Sequence, residues 1–278
     1  METLVTAMPT VSYTFAVATA FTLGACIGSF INVVAYRIPA KISLIYPPSR
    51  CPHCRHQLGI TENVPVMGWL WLKGHCRWCK AKISSRYPTV EAVTGLIFVL
   101  VFWRFGYSSE TVGYWALLSW LLSLSLIDLD TMTLPACLTK SGLVLGLIFQ
   151  GIIGWQIDRG SGIAHQLMFG IGGAVSGIWL LEIIALFGLI MLKQQAMGDG
   201  DGKLMATIGA WIGWKYVLLS GFIACGVGSI IGGGAIALGI ISKKQPMPFG
   251  PFLALGCALS LFFGDWAIDA YLDTFFNF

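Results

Sequence analysis

Long apolar runs constrain this chain more than anything else in it. Stretches near 13–36, 89–105, 112–128, 138–155, 163–192, 216–241 and 249–268 are each close to the length a helix needs to cross a hydrocarbon layer, about 20 residues. In lipid every backbone polar group must be satisfied internally, so runs of this length read as membrane helices. A further run, Leu204 to Trp214, is apolar but short. It reads either as a half-depth helix or as a tightly packed short span, and we count it. The composition agrees: 56% hydrophobic, 11% charged, with a mean hydropathy of +0.77. That excludes an ordinary soluble domain. Tryptophan (11) and glycine (34) are plentiful, as suits membrane interfaces and close helix contacts in lipid. The expected fold is an all-α polytopic membrane protein of about eight transmembrane helices, with one small loop module.

Charge orients the helices. Nine of the 17 Lys and Arg lie between Arg37 and Arg86, where Glu62 is the single acid. A short basic loop beside membrane helices stays in the cytoplasm. The same rule accounts for the basic patch without nucleic acid, which is not expected as a partner. Eight spans then put both termini outside and bring Asp128, the Gly198–Asp201 stretch, Lys243 and Lys244 to the cytoplasmic face. Lys215 falls outside, against the rule. Met1 to Val11 contains Glu2 and no Lys or Arg, so a basic signal-peptide n-region is missing. The run Tyr13 to Tyr36 is also too long for an h-region and reads as a retained first helix. The organisation expected is a first transmembrane helix (1–36), a cytoplasmic module (37–87) and a transmembrane core (88–278), with no internal repeat evident.

Within the loop, Cys51-Pro-His-Cys54 and Cys76-Arg-Trp-Cys79 are two C-x2-C knuckles separated by 21 residues. That spacing fits a zinc ribbon, each knuckle supplying two thiolates to one closed tetrahedral site. Disulfides are the competing reading, but a cytoplasmic loop keeps its thiols reduced. With no open position, the zinc would be structural and would help fold a loop too short for its own core. His53, His56 and His75 border the knuckles and are read as bystanders. Cys26, Cys137, Cys225 and Cys257 are read as small buried apolar residues.

Gly198-Asp199-Gly200-Asp201-Gly202 follows a long apolar run, and Asp128 and Asp130 end another. Carboxylates at the edge of a bilayer are costly and are functional candidates by default. Two of them, brought together by separate helices, can share one proton and activate a water. Asp128 and Asp201 fall at the same expected depth and form the candidate catalytic pair, with Gly198 and Gly200 shaping the loop. A polar turn between helices is the plain alternative for the glycine stretch. Asp201 is expected just before a helix that begins after Gly202, where the dipole favours a carboxylate. The acids Asp265, Asp269 and Asp273 are read as solvated, and the roles of Asp130, Asp199 and Glu182 stay open.

These residues together resemble the type IV prepilin peptidase family, almost end to end. The resemblance runs through Gly28-Ser-Phe-Ile-Asn-Val33, Arg37-Ile-Pro39, the paired knuckles, Glu62-Asn-Val-Pro65, Arg86-Tyr-Pro88 with Glu91, Leu126-Ile-Asp128-Leu-Asp130, the G-x-G-D ending at Asp201, and Pro248-Phe-Gly-Pro251. It implies an aspartic endopeptidase of the bacterial inner membrane. Such an enzyme removes the basic leader of prepilins or pseudopilins of type IV pili or type II secretion, at the cytoplasmic face. Many members then methylate the new N-terminus with S-adenosylmethionine. Two departures stand out: Leu134-Pro135-Ala136 replaces a usual Leu-Pro-Asp, and the x of G-x-G-D is itself acidic, Asp199. No Gly-rich Rossmann loop marks a methyl-donor site.

From the residues alone two other classes remain. A proton- or ion-coupled transporter would also hold carboxylates in the membrane, but it predicts paired broken helices. A non-enzymatic scaffold presenting a zinc ribbon leaves Asp128 and Asp201 unexplained.

Overall fold

The computed structural model describes residues 10–192, 198–240, 242 and 247–276. Lys243, Lys244 and the residues before Thr10 lie outside them. The described residues form eight α-helices: α1 (Thr10–Arg37), α2 (Met67–Trp71), α3 (Arg86–Phe105), α4 (Ser109–Thr131), α5 (Ala136–Ile157), α6 (Ser161–Leu192), α7 (Asp199–Ala237) and α8 (Gly250–Phe276). All but α2 are long and apolar enough to cross a membrane, which makes seven candidates among the described residues. Their outward faces carry large apolar side chains such as Phe15, Trp103, Phe222 and Ile230, as lipid-facing surfaces do. The chain forms two compact units, one ending at Ser119 and one starting at Trp120.

In the first unit α1 packs on α3 nearly backbone to backbone. A Cβ at Gly24 would lie 2.8 Å from the Gly95 Cα, and one at Gly28 would lie 2.7 Å from the Glu91 Cα. Small residues permit this approach where lipid offers no hydrophobic drive. The Asn32 amide donates to the Tyr87 carbonyl at 3.2 Å. At the end of α1 the Arg37 guanidinium donates to the carbonyls of Ser43, Leu44 and Pro47 and gathers the following loop around itself. The Phe98 and Trp115 rings stack 4.7 Å apart, and the indole N–H donates to the Phe98 carbonyl.

In the second unit α7 departs from a single rod. Gly213 has φ +76° and ψ 178°, which is not helical. Met205 and Gly221 would stand about 24 Å apart on a straight helix. Yet a Cβ at Gly221 would touch the Met205 methyl carbon at 2.9 Å and Leu180 at 2.6 Å. The chain therefore folds back at Gly213 into two arms, residues 199–212 and 214–237. The sequence counted these arms as separate spans, so eight expected segments become seven elements. The first arm is the short one, and it is buried from Leu204 to Ile212. Enclosed by protein, it has no lipid thickness to match, which accounts for its short length.

Glycines seat this arm against its neighbours. A Cβ at Gly173 of α6 would lie 2.1 Å from the Gly209 carbonyl oxygen, and the reverse substitution is as tight. Against α5, the Trp211 indole donates to the Gly142 carbonyl at 2.8 Å, and the Gln150 amide to the Trp211 carbonyl at 2.7 Å. The Thr207 hydroxyl donates to the Thr139 carbonyl at 2.9 Å. The second arm runs beside α8, where a Cβ at Gly256 would lie 2.3 Å from the Ser220 carbonyl oxygen. Among the scattered cysteines only Cys257 is fully enclosed. Cys225 is partly exposed, and Cys26 and Cys137 are exposed. Expecting all four to be buried ignored that an apolar residue facing lipid is as well placed as one inside. The Asp265 carboxylate accepts a hydrogen bond from the Tyr216 hydroxyl.

Candidate active site and metal centre

Three helix ends meet at one end of the second unit: the last turns of α4, the first turn of α7 and the start of α8. Asp128 comes from α4 and is 5% exposed; Asp201 comes from α7 and is 9% exposed. The two carboxyls are close enough to feel one another's charge. Each has one oxygen held by a backbone N–H. Gly250 donates to Asp128 Oδ2 at 2.8 Å, and Gly198 donates to Asp201 Oδ2 at 3.2 Å. Gly198 is the N-cap of α7, so the helix starts at Asp199 rather than after Gly202. Asp201 thus stands in the first turn, where its carboxylate satisfies a backbone donor left over at the N-terminus. Gly200 sits against Leu134 of the α4–α5 loop, a Cβ there falling 3.0 Å from the Leu134 Cβ.

The flanking acids separate from this pair. Asp199 and Asp130 are both exposed. Helical geometry explains the division, since neighbours two residues apart face different ways on a helix. Glu182 is exposed on α6. Sequence reading assigned no role to Gly250, although it singled out Pro248-Phe-Gly-Pro251. The structure supplies one: a Cβ at Gly250 would lie 2.8 Å from Asp128 Oδ2, so only glycine lets that backbone N–H reach the carboxylate.

In the first unit the four knuckle cysteines converge, with Cys51 and Cys76 buried and Cys54 and Cys79 exposed. Their sulfurs all lie within 4.8 Å of one another, with Cys51 to Cys79 at 3.7 Å and Cys54 to Cys76 at 4.0 Å. A tetrahedral ion with bonds of ~2.3 Å requires sulfurs about 3.8 Å apart, so the donor set fits a metal ion. The two knuckles share one shape. Arg55 N–H donates to the Cys51 carbonyl and Lys80 N–H to the Cys76 carbonyl. Arg55 and Lys80 both have positive φ, 59° and 58°. This small structural repeat is hidden in sequence because only the cysteines recur. Backbone N–H groups, that of Cys54 foremost, hold the Cys51 thiol down to about 6, toward the thiolate a metal ligand needs. The histidines stand aside: His56 rests on the Trp78 ring, and His75 pairs with the Lys73 carbonyl.

Comparison with known proteins matches both units to one family. Residues 22–105 match the bacterial peptidase A24 N-terminal domain, and residues 115–233 match the type IV leader peptidase family. A prepilin leader peptidase/N-methyltransferase of Stutzerimonas stutzeri is 37% identical, over 91% of this chain and 93% of its own. Proteins of the same name from Aeromonas hydrophila and Pseudomonas aeruginosa are 35% and 36% identical. The former covers 92% of this chain and 93% of its own, the latter 90% and 91%. No solved structure matches.

Proposed function

Because this chain belongs to the type IV prepilin leader peptidase/N-methyltransferase family, we propose that Asp128 and Asp201 form the dyad that cuts the leader peptide bond. The observation that carries this is their shared burial at one end of the second unit, where the neighbouring acids Asp130 and Asp199 are exposed. Two carboxylates confined together hold one proton between them. The ionised one takes a proton from water, whose oxygen attacks the scissile carbonyl. The protonated one donates to that carbonyl oxygen; the proton taken from water then passes to the scissile nitrogen, the C–N bond breaks to release the amine, and a gem-diol hydroxyl returns its proton to the dyad. The Gly250 and Gly198 N–H groups each hold one carboxylate oxygen and leave the other to handle the proton.

Substrates of this reading are prepilins or pseudopilins. Their mature apolar segment lies in the bilayer, and their basic leader stays in the cytoplasm of a bacterial inner-membrane site. The basic residues of 37–86 support a cytoplasmic placement for that loop and for the dyad. Zinc fits the four thiolates of the 37–87 module and, with no open position, acts on folding rather than on the reacting bond. The dyad belongs to the 88–278 core. S-adenosylmethionine, as methyl donor, would supply an electrophilic methyl carbon to the neutral amine that cleavage uncovers. The nitrogen lone pair forms the new C–N bond, the C–S electron pair returns to sulfur, and the nitrogen sheds a proton. An ion-coupled transporter predicts paired broken helices; among the described residues one long helix carries a break, at Gly213. Purified protein incubated with a prepilin tests the reading: leader removal shows as a gel shift, and an uncut substrate overturns it.

A further inference from the structure

The short helix α2 turns an apolar face away from the rest of the first unit. Leu70 and Trp71 lie three and four positions beyond Met67, so the three side chains share one face, and all are exposed. Trp71 is 85% exposed, and Ile60, just before the turn Thr61–Asn63, is 92% exposed. The opposite face meets protein. A Cβ at Gly68 would lie 2.6 Å from the Glu62 carbonyl oxygen, and the Trp69 indole donates to the Ile83 carbonyl at 3.2 Å. We infer that the outward face of α2 docks on the membrane surface, among the headgroups of anionic phospholipid. The choice of an anionic leaflet rests on the cytoplasmic placement of the 37–87 loop; the depth of docking does not.

The height of α2 is set by α3. The Val66 N–H, at the start of α2, donates to Glu91 Oε2 at 2.6 Å. Val66 has φ +61°, a conformation that β-branched residues rarely adopt, and the chain turns into α2 there. Glu91 is buried in the second turn of α3, a helix of 20 residues. Such a helix is about 30 Å long, the thickness of the hydrocarbon layer. Glu91 lies about 8 Å along its axis from Arg86, inside the boundary of that layer. A helix tied to this level presents its outer face to lipid rather than to bulk water. Amphipathic helices dip ~5–10 Å into the same zone, and tryptophan is favoured there. Charge selects the lipid. Lys73 follows α2 directly, and Lys73 to Arg86 holds five cations and no acid, all five exposed. Cations placed beside the surface attract an anionic leaflet. A soluble partner would have to displace lipid to reach the face.

Full-length protein with its zinc retained, in vesicles of phosphatidylglycerol and phosphatidylcholine, tests this through Trp71. Subtracting the emission of Trp71→Phe from that of the wild type isolates this indole among the 11. Phospholipid brominated near the headgroup end of its chains is expected to quench it by about half, and aqueous acrylamide is expected to have little effect. Quenching by acrylamide alone overturns the inference. Quenching by neither agent means that protein covers the face, from the second unit or a second copy, and overturns it too. Trypsin reads the charge. Cutting after Lys73, relative to cutting after Arg159, should be about tenfold slower in these vesicles than in pure phosphatidylcholine; equal rates overturn the choice of anionic lipid. Leu70→Ser with Trp71→Ser should remove that protection, with zinc content showing that the module folds. Protection unchanged in this variant denies the role of the face. Bromine is present in both leaflets, so external labelling at Ser84 would reverse the orientation and leave the Trp71 result standing. An unquenched Trp71 with Ser84 protected overturns the docking alone.

Discussion

At the scale of single residues, two aspartates differ from their neighbours by burial rather than by chemistry. Asp201 is buried and Asp199 is exposed, although one glycine separates them. Replacing Asp128 or Asp201 with Asn preserves shape and removes the titrating proton. Each change should lower leader cleavage by about 10²–10⁴-fold or more, with zinc content unchanged. Asp199→Asn and Asp130→Asn should keep substantial activity. An active Asp201→Asn beside an inactive Asp199→Asn would move the dyad to Asp199. Gly250 gives a second test. An added methyl 2.8 Å from Asp128 Oδ2 must push that carboxylate aside, and misplacement of about 1 Å costs on the order of 10²-fold. Gly250→Ala is therefore expected to cut turnover by that order while the protein still binds zinc. Full activity in that variant would show that the Gly250 N–H does not aim Asp128.

Elements are decided by how closely helices may approach. The first arm of α7 lies against α6 through Gly173 and Gly209, with no room for a side chain at either. Gly172, one residue away, would place a Cβ in open space. The same substitution should thus have opposite outcomes. Gly209→Ala should destabilise by about 1–3 kcal/mol or more through overpacking, read as a lower thermal midpoint in detergent. Gly172→Ala should leave the midpoint where it is or raise it. Equal midpoints would deny the close crossing. Gly213 is a different case, because its φ of +76° and ψ of 178° fall in a region that is essentially glycine's alone and costs an L-residue about 1–3 kcal/mol. The Phe169 ring fills the space a Cβ would take.

For the whole molecule, the four-cysteine module and the proposed dyad belong to different compact units, and their failures should differ. Cys51→Ser with Cys54→Ser should remove the bound zinc, read by metal analysis, while leader cleavage falls less completely than zinc content. Zinc retained in that double variant would sink the four-thiolate assignment. Sidedness is a further test. Single cysteines at Ser84 and Thr133 should resist a membrane-impermeant reagent in whole cells, and one at Gly160 should react. External labelling at Ser84 would reverse the proposed orientation.

Much of this protein was legible in one dimension because lipid enforces it. A helix that must satisfy its own backbone shows itself as a run of about 20 apolar residues. A thiolate site shows itself in cysteine spacing, since each knuckle is local. The acids at 128 and 199–201 stood out because charge is rare beside such runs. Tertiary structure decided what depends on distant segments meeting. It separated Asp201 from Asp199 by turning one of them inward on the first turn of α7. It also gave Gly250 its task, through a hydrogen bond spanning 122 positions. The corner of the fold-back came from the same source: the sequence already counted 204–214 and 216–241 as separate spans, and the non-helical Gly213, with Phe169, Met205 and Gly221 packed around it, fixes where the chain turns. The shared form of the two knuckles arose in the backbone, from donors and dihedral angles that the intervening side chains do not encode.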